Sequence, residues 1–306
     1  MTTEPTLQVQ NLTKKFGSVL AVDNLSFDVM PGRVTGFLGP NGAGKTTTLR
    51  ILLDLIRPTL GTTRIKGRRY SELENPMNTV GAHLDSRSFH PGRTGRDHML
   101  VAAAEGNTGT ERIDDLLELV SMRESADRRM GQYSLGMLQR LGLATALIGN
   151  PEILVLDEPA NGLDPEGIRW LRQFLREFAA QGRTVLLSSH LLGEIQVMAH
   201  DVVIINRGKL VAAGSVQELE AMRESVVLVD SPDPEALWDA LSGAGLTVSL
   251  TQPRDGLAPV ARVSVEGSSV VAVGQVALRA GVPLSHLSER TSGLEELFMD
   301  AVGGLQ

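Results

Sequence analysis

Short apolar runs alternate along most of the chain with longer segments in which apolar residues recur at helical spacing. The runs at residues 34–38, 153–156, 184–188 and 202–205 are rich in Val, Ile and Leu and predict buried strands. Buried strands that alternate with amphipathic helices are typical of a sheet that is at least partly parallel. We therefore predict an α/β fold with a mixed sheet.

Helix signals are strongest at three places along the chain. The stretch 45–56 predicts a helix, and Asp164 followed by Pro165 supplies an N-cap and a first helical residue for a helix that stops at Gly182. Between residues 94 and 150 the pattern is helical throughout, so we predict an all-α insertion there. Its predicted helices are 94–104, 111–122 and 135–148.

After residue 215 the pattern changes to short strands and helices. Strands are predicted at 226–229, 246–250, 261–265 and near Pro283, and helices at 234–242, 269–280 and 293–302. This order resembles a split β-α-β-β-α-β unit, the ferredoxin-like arrangement. We therefore expect two domains, residues 1–221 with the all-α insertion and a small α+β domain of residues 222–306.

The composition limits the class of protein. A chain of 306 residues is long enough for a main domain and a smaller one. Its net charge of -7 argues against a nucleic-acid sheath, because phosphate backbones require a basic face. The absence of cysteine fits a reducing compartment. No apolar run approaches the roughly 18 to 20 residues that cross a bilayer, and the N-terminus lacks a secretory leader, so we expect a cytoplasmic protein.

A glycine-rich segment, GPNGAGKTT, lies between a predicted strand and a predicted helix. Its glycines can adopt backbone angles closed to other residues, so successive N–H groups turn towards phosphates at the positive end of a helix. The lysine adds a cation for the outer phosphates, and the first threonine is placed to bind Mg²⁺. The alternative is a chance glycine-rich turn, which the flanking strand and helix disfavour. The residues expected to hold a nucleoside triphosphate are Gly39, Pro40, Asn41, Gly42, Ala43, Gly44, Lys45, Thr46 and Thr47.

Acidic, histidine and serine residues follow other predicted elements. The segment ILVLDE ends in two carboxylates, of which Asp157 suits a magnesium shell and Glu158 suits polarising a water in line with the γ-phosphate. His190 ends a strand and is expected to contact the γ-phosphate, although a lone histidine there is more often a cap or surface residue. Ser134 and Gly136 open a helix that can present a second positive end, although alone they indicate just a capped helix.

With these residues assembled, the chain to about residue 221 resembles the ATP-binding cassette of ABC transporters. GPNGAGKTT is similar to the Walker A loop, YSLGM to the family signature, ILVLDE to Walker B and NGLD to the D-loop, while His190 matches the switch histidine. Phe16 resembles the aromatic residue on which adenine stacks, although an isolated Phe is core in most chains. The resemblance also places Asp164, at the end of the D-loop, in the nucleotide-binding set.

Two positions depart from the family pattern. The usual signature LSGGQ is replaced by Tyr133, Leu135 and Met137 at its first, third and fifth positions, while its serine and its second glycine are retained. The loop that usually holds a glutamine carries Asp85, which can hold Mg²⁺ or water but cannot donate a hydrogen bond when ionised. Both departures resemble the drug and bacteriocin exporter branch.

The resemblance implies that ATP and Mg²⁺ are sandwiched head to tail between two copies, or between this chain and a related cassette. Ser134 of one copy then touches the γ-phosphate that Lys45 of the other holds. The chain is expected to act on a separate membrane permease at the inner face of the membrane, through a groove around Asp85, Phe89 and the insertion helices. Export of a drug, antibiotic or other amphipathic molecule is the implied function, with no nucleic acid as partner.

Two other functions stay open from the sequence. One is a soluble cassette ATPase in DNA maintenance or translation, although such relatives generally carry two cassettes or coiled-coil arms. The other is a nucleotide-bound interaction module with little turnover, given the altered signature. A metal site at His83, His90 and His98 is disfavoured because their spacing does not bring three rings together, so we predict surface positions for them.

Overall fold

The computed structural model of the chain describes residues 4–84, 89–221, 225–251, 262–266 and 268–291, together with Leu294 and Phe298. These residues form two compact units, Met1–Val216 with Phe298 and Gln217–Leu297. None of the described helices is both long and apolar enough to span a membrane.

The first unit contains nine described strands, which range from fully buried to largely exposed. They are β1 (Leu7–Phe16), β2 (Val19–Val29), β3 (Val34–Leu38), β4 (Leu60–Ile65), β5 (Val80–His83), β6 (Ile153–Asp157), β7 (Thr184–Ser189), β8 (Asp201–Asn206) and β9 (Lys209–Ser215). The helices of this unit are α1 (Lys45–Leu52), α2 (Pro76–Thr79), α3 (Gly95–Glu105), α4 (Ile113–Leu119), α5 (Leu135–Ala146), α6 (Pro165–Ala180) and α7 (Leu192–Met198). A further helix, α8 (Val216–Ala221), begins at the last residue of the Met1–Val216 segment and continues into the second unit.

Six strands form the central sheet in the order β5-β6-β7-β3-β8-β9. Neighbouring strands are parallel except β8 and β9, which are antiparallel. Every residue of β3 and β6 is buried, as expected for strands that are covered on both faces. The predicted mixed sheet is confirmed, and its four predicted strands lie within one residue of their predicted ends.

A second, antiparallel sheet in the order β2-β1-β4 was not predicted from the apolar pattern. Its strands contain irregularities that disturb the alternation of apolar and polar residues. Asn11 and Asn24 have φ angles of 48° and 51°, in the left-handed region, and the register of β1 against β2 shifts between Val9 and Leu12. Bulges of this kind interrupt the alternation of side chains between the two faces of a strand. The pattern of apolar and polar residues therefore does not indicate strands in these segments.

Helix α1 packs in a core that both sheets share. Leu49 and Ile51 of the helix belong to the same buried cluster as Leu7 of β1 and Val155 of β6. Burying side chains of this size contributes roughly 1.5 to 3 kcal/mol each, which fixes the helix and the loop before it. The helix ends at Leu52, four residues before its predicted end, and Asp54 then takes a φ of 54°.

The predicted all-α insertion is confirmed for the described residues between β5 and β6, which contain helices α3, α4 and α5. Helix α3 has the predicted length and is shifted by one residue, whereas α5 is shorter than predicted and α4 is shortened most. The predicted helix 111–122 is interrupted after α4, where Ser121 takes a φ of 57°. A left-handed residue cannot continue a right-handed helix.

The second unit pairs one antiparallel sheet with two helices, in the β-α-β-β-α-β order. Its described elements are β10 (Ser225–Asp230), α9 (Pro234–Gly243), β11 (Thr247–Thr251), β12 (Arg262–Glu266), α10 (Val270–Ala280) and β13 (His286–Thr291). The sheet order is β11-β12-β10-β13. Val227 and Val263 of the sheet share a buried cluster with Leu237 and Val273 of the helices. The predicted helix 293–302 lies outside the described residues, except for Leu294 and Phe298.

Candidate active site

The side chains singled out from the sequence meet at one edge of the central sheet. β7 lies between β6 and β3, and its register places Ser189 beside Leu38 and Ser188 beside Asp157. Because the three strands are parallel, their carboxyl ends and the loops that follow lie at the same edge. The loop after β3, the acidic pair after β6 and His190 after β7 are thereby brought together.

The loop after β3 encloses a cavity of about 230 Å³, lined by residues 40–47 together with Ala21 and Glu158. Gly42 and Gly44 have φ angles of 80° and 105°, and a Cβ on Gly44 would lie 2.5 Å from the carbonyl oxygen of Ala21. No residue other than glycine fits at position 44. Helix α1 begins directly after it, so the positive end of the helix and its first amides face this cavity.

Lys45 is held at this cavity by its own loop. Only 6% of the residue is exposed, and its Nζ donates hydrogen bonds to the carbonyl oxygens of Gly39 at 2.6 Å and Pro40 at 3.3 Å. The same Nζ lies 3.3 Å from Glu158 Oε1. A buried ammonium needs such partners, because an unpaired cation away from water is strongly unfavourable.

Thr46 and Asp157 form an oxygen cluster beside the lysine. Thr46 Oγ1 donates a hydrogen bond to Asp157 Oδ2 at 2.6 Å, and Ser188 Oγ donates to Asp157 Oδ1. Hydroxyl and carboxylate oxygens are hard donors of the kind that Mg²⁺ prefers, and one or two such ligands beside substrate phosphates are usual for it. The residues present therefore fit a magnesium ion that is shared with phosphate oxygens.

Glu158 lies in an unusual backbone conformation, with a φ of 50°. Such a conformation costs on the order of 1 to 3 kcal/mol for a residue with a side chain and persists only where the surroundings enforce it. Its N–H donates to Ser188 Oγ at 2.9 Å. Its carboxylate lies between Lys45 and His190, whose Nδ1 is 2.8 Å from Oε2. The carboxylate is thus fixed at the edge of the cavity that the loop after β3 encloses, where it can polarise a water.

A further carboxylate, Glu194 in the first turn of α7, lies near this group. It accepts a hydrogen bond from Ser189 Oγ at 2.9 Å. Burial raises the pKa of Glu194, the charge of Glu158 raises it further, and the Ser189 hydrogen bond and His190 oppose the shift. Glu194 was not predicted as a site residue, because it lies five residues beyond the end of β7 and no motif marks it.

Comparison with known proteins identifies the family. The model of the ABC transporter family matches residues 22–161, and that of a domain of unknown function matches residues 225–295. A bacitracin transport ATP-binding protein of Enterococcus faecalis is 32% identical over 307 residues, covering 99% of this chain and 98% of that protein. The chain belongs to the ABC transporter ATP-binding family. It is therefore an ATPase cassette, a domain that binds ATP.

Two more proteins show how far the likeness extends. A Nod factor export ATP-binding protein I of Burkholderia pseudomallei (strain 1710b) is 33% identical, covering 97% of this chain and 97% of that protein. A solved dimeric ATP-binding cassette in a post-hydrolysis state, bound to ADP and Pi, has a TM-score of 0.63 at 22% identity, covering 68% of this chain and 98% of that chain. ATP-binding subunits of this family pair with membrane permeases and dimerise.

The signature and the D-loop of the cassette pack against each other. Ser134 is exposed and caps α5 by accepting a hydrogen bond from the Met137 N–H at 3.2 Å. A Cβ on Gly136 would lie 2.7 Å from the carbonyl oxygen of Gly162, so a larger residue there would push the D-loop away. Asp164 caps α6, as predicted, by accepting from the N–H of Gly167 at 2.8 Å.

Phe16 lies at the end of β1 and is 47% exposed, so it is not a core residue. The Lys14 ammonium lies 4.8 Å from the centre of its ring. An exposed aromatic face with a neighbouring cation suits stacking by a purine base.

The three histidines that were predicted at the surface differ in exposure. His83 and His98 are not surface residues: His83 is 7% exposed, and burial, with the charges of Arg93 and His83, lowers the pKa of His98. Their rings flank Phe89, with ring centres 6.1 Å and 4.8 Å from it, beside a cavity of about 440 Å³. His90 is exposed, as predicted. Asp85, predicted as a magnesium ligand, lies outside the described residues.

Proposed function

We propose that this chain is the ATP-hydrolysing subunit of an exporter of amphipathic molecules, such as a drug or an antibiotic. The observation that carries the proposal is the group in which Lys45 and Glu158 line the cavity of the phosphate loop and His190 contacts the Glu158 carboxylate. The names of the whole-length relatives, one for bacitracin transport and one for Nod factor export, support export as the direction.

In this proposal Lys45, the loop amides and the start of α1 bind the β- and γ-phosphates of ATP. Thr46 and Asp157 would hold Mg²⁺, which supplies positive charge at the phosphate oxygens when it is bound. Phe16 stacks on the adenine. Ser188 keeps Asp157 and the Glu158 amide in place through the hydrogen bonds described above.

Glu158 acts as the general base in the hydrolytic step. A water oxygen attacks the γ-phosphorus, its proton passes to the Glu158 carboxylate, and the bond from the γ-phosphorus to the bridging oxygen breaks to leave ADP and phosphate. His190 holds the carboxylate through Nδ1, which leaves Nε2 to face the γ-phosphate. Lys45 neutralises charge on the leaving oxygen.

Two cassettes pair head to tail, either as copies of this chain or with a related cassette. Ser134, exposed at the start of α5, then contacts the γ-phosphate bound by the partner. The dimeric solved cassette with a similar fold supports this arrangement. Hydrolysis breaks a bridge that spans both subunits, and the pair then opens.

The motion passes to a permease on a separate chain, and the cassette stays on the inner face of the membrane through that permease. The proposed docking site is the cavity beside Phe89, His98 and Tyr70. Asp85, four residues before Phe89 in the sequence, lies outside the described residues. We place the functional boundary near residue 221, so that residues 1–221 form the cassette and 222–306 an accessory domain.

The test is ATP-driven export by membrane vesicles that contain this chain together with its permease. Glu158→Gln is expected to abolish export while the subunit still assembles with the permease. Undiminished export by Glu158→Gln vesicles would contradict the proposed mechanism. Purification of the full chain with ribosomes or DNA in place of a membrane protein would contradict the proposed partner.

A further inference from the structure

Two buried polar side chains lie behind the hydrolytic carboxylate, outside the group described above. His83 is 7% exposed and Gln139 is 6% exposed. His83 ends β5, and Gln139 lies on α5, two residues beyond the signature. The His83 Nε2 and Gln139 Oε1 atoms are 2.8 Å apart, and Gln139 Nε2 lies 3.3 Å from the main-chain oxygen of Glu158.

The direction of both hydrogen bonds follows from the chemistry of the last acceptor. A carbonyl oxygen can only accept, so Gln139 must donate to Glu158 through its NH₂ group. Its own oxygen then faces His83, and His83 must carry a proton on Nε2 and donate it. The two hydrogen bonds therefore run in one direction, with His83 donating to Gln139 and Gln139 donating to the peptide of Glu158.

The packing of β5 against α5 leaves room for the hydrogen bond between His83 and Gln139. A Cβ on Gly142, one turn beyond Gln139, would lie 2.2 to 2.5 Å from three atoms of the His83 ring. Any residue larger than glycine at this position would displace the imidazole and break its bond to Gln139. On its other side the His83 ring stacks on Phe89, which restricts the ring further.

Glu158 needs positioning because its φ of 50° is unfavourable for a glutamate. Its peptide is restrained at both ends: the N–H donates to Ser188, and the carbonyl oxygen accepts from Gln139 at 3.3 Å and from the Asn161 N–H at 3.1 Å. The Asn161 contact is local and follows from the turn. The Gln139 contact is long-range, so it ties the carboxylate to the signature helix and, through His83, to β5.

We propose that Gln139 and His83 are positioning residues for Glu158, which set the turnover rate of the ATPase without touching the nucleotide. This inference rests on the proposed role of Glu158 as general base. Loss of the hydrogen bonds from His83 and Gln139 lets the Glu158 peptide relax, so the carboxylate no longer lies where the attacking water must be. ATP affinity depends on the loop and Lys45 and stays unchanged.

The experiment is a double-mutant cycle on ATP hydrolysis by the full chain, with kcat and KM measured separately. Gln139→Met keeps the length of the side chain and removes both hydrogen bonds, and we expect kcat to fall about tenfold with KM changed less than twofold. His83→Met should lower kcat about threefold and should add nothing in the Gln139→Met background. His83→Gln, which can still donate from a similar position, should restore most of kcat.

Matched controls separate positioning from folding. Gln173→Met makes the same substitution on the exposed face of α6 and is expected to leave kcat unchanged. If Gln139→Met does not fold, Gln139→Glu serves instead, because it can still accept from His83 but cannot donate to Glu158 when ionised. Glu158→Gln is measured in parallel: turnover retained there contradicts the role of Glu158 itself.

Two results would overturn the inference while leaving the role of Glu158 intact. The first is loss of turnover in Glu158→Gln with wild-type kcat in the Gln139 variant that folds. The second is a cycle in which the losses from His83→Met and Gln139→Met multiply, because two independent sites give that outcome.

Discussion

His190 Nδ1 lies 2.8 Å from Glu158 Oε2, while the other oxygen of the same carboxylate lies 3.3 Å from Lys45 Nζ. The three side chains come from three parallel strands or the loops that follow them. Because both oxygens of the carboxylate already have a partner, a water can approach it only from the side of the cavity. The geometry therefore serves orientation as much as charge.

The first prediction concerns His190. His190→Ala removes the contact to Glu158 Oε2 and leaves the carboxylate held by Lys45 alone, so we expect kcat to fall by about 10 to 100-fold. Phosphate release at saturating ATP measures the effect. His90→Ala, an exposed histidine in the same unit, is the matched control and should keep wild-type turnover. Equal activity of the two variants would exclude the proposed role of His190.

The second prediction concerns Glu194 and pH. The folded-state pKa of Glu194 is raised, chiefly by burial, so the folded chain holds this proton more tightly than the unfolded chain does. Its contribution to stability is therefore best below the ordinary pKa of a glutamate and declines as the pH rises through the raised value. Glu194→Gln removes that penalty and should raise the melting temperature at pH 7 by roughly 1 to 3 °C.

The same gain should vanish near pH 4, about where glutamate is protonated in the unfolded chain as well. Glu124→Gln, at an exposed position, serves as the control and should shift the melting temperature at neither pH. A gain of the same size at both pH values would mean that the charge of Glu194 is not its cause.

The third prediction concerns Thr35 on β3, next to the phosphate loop. Thr35 is 1% exposed, and among the described buried side chains its Oγ1 is the polar atom that finds no hydrogen-bond partner. Thr35→Val has nearly the same shape without the hydroxyl and should stabilise the chain by about 1 kcal/mol. The midpoint of urea unfolding reports the change.

A second buried threonine provides the contrast. Thr184 is also buried, but its hydroxyl donates to Thr6 Oγ1 at 3.3 Å. Thr184→Val should therefore destabilise the chain, because it leaves a buried partner unpaired. If both valine variants shift the midpoint in the same direction, hydroxyl pairing does not explain the difference.

The fourth prediction concerns head-to-tail pairing. Lys45→Ala and Ser134→Glu should each abolish turnover alone, because each damages both composite sites of its own dimer. In a one-to-one mixture the mixed dimer has one intact site, built from Lys45 of one chain and Ser134 of the other. Turnover should recover to roughly a quarter of the wild-type value, and no recovery at all would indicate that Ser134 acts within its own chain.

Much of the site could be predicted from the sequence because its residues follow strand ends. The apolar runs before Asp157 and His190 indicated parallel strands, and parallel strands deliver whatever follows them to one edge of the sheet. The phosphate loop and the Asp164 cap were predictable for a similar reason, since each depends on residues adjacent in sequence.

The rest depends on contacts between distant residues, which spacing does not report. Ser188 and Gln139 act through side chains that meet Asp157 and Glu158 only once the sheet has formed. His83 was expected at the surface because its spacing from His90 and His98 does not form a metal site, yet Gly142 on α5 provides the room that buries it. The bulged strands β1 and β2 escaped detection because Asn11 and Asn24 break their period.

The most direct measurement is phosphate release and ATP binding by Glu158→Gln in the full chain. Glutamine keeps the shape and the contact distances but cannot accept the water proton, so kcat should fall by at least about 100-fold. Removing one negative charge beside Lys45 should at the same time tighten ATP binding several-fold, by roughly 1 kcal/mol. Turnover within tenfold of wild type, or weaker ATP binding, would contradict the account in which Glu158 is the base.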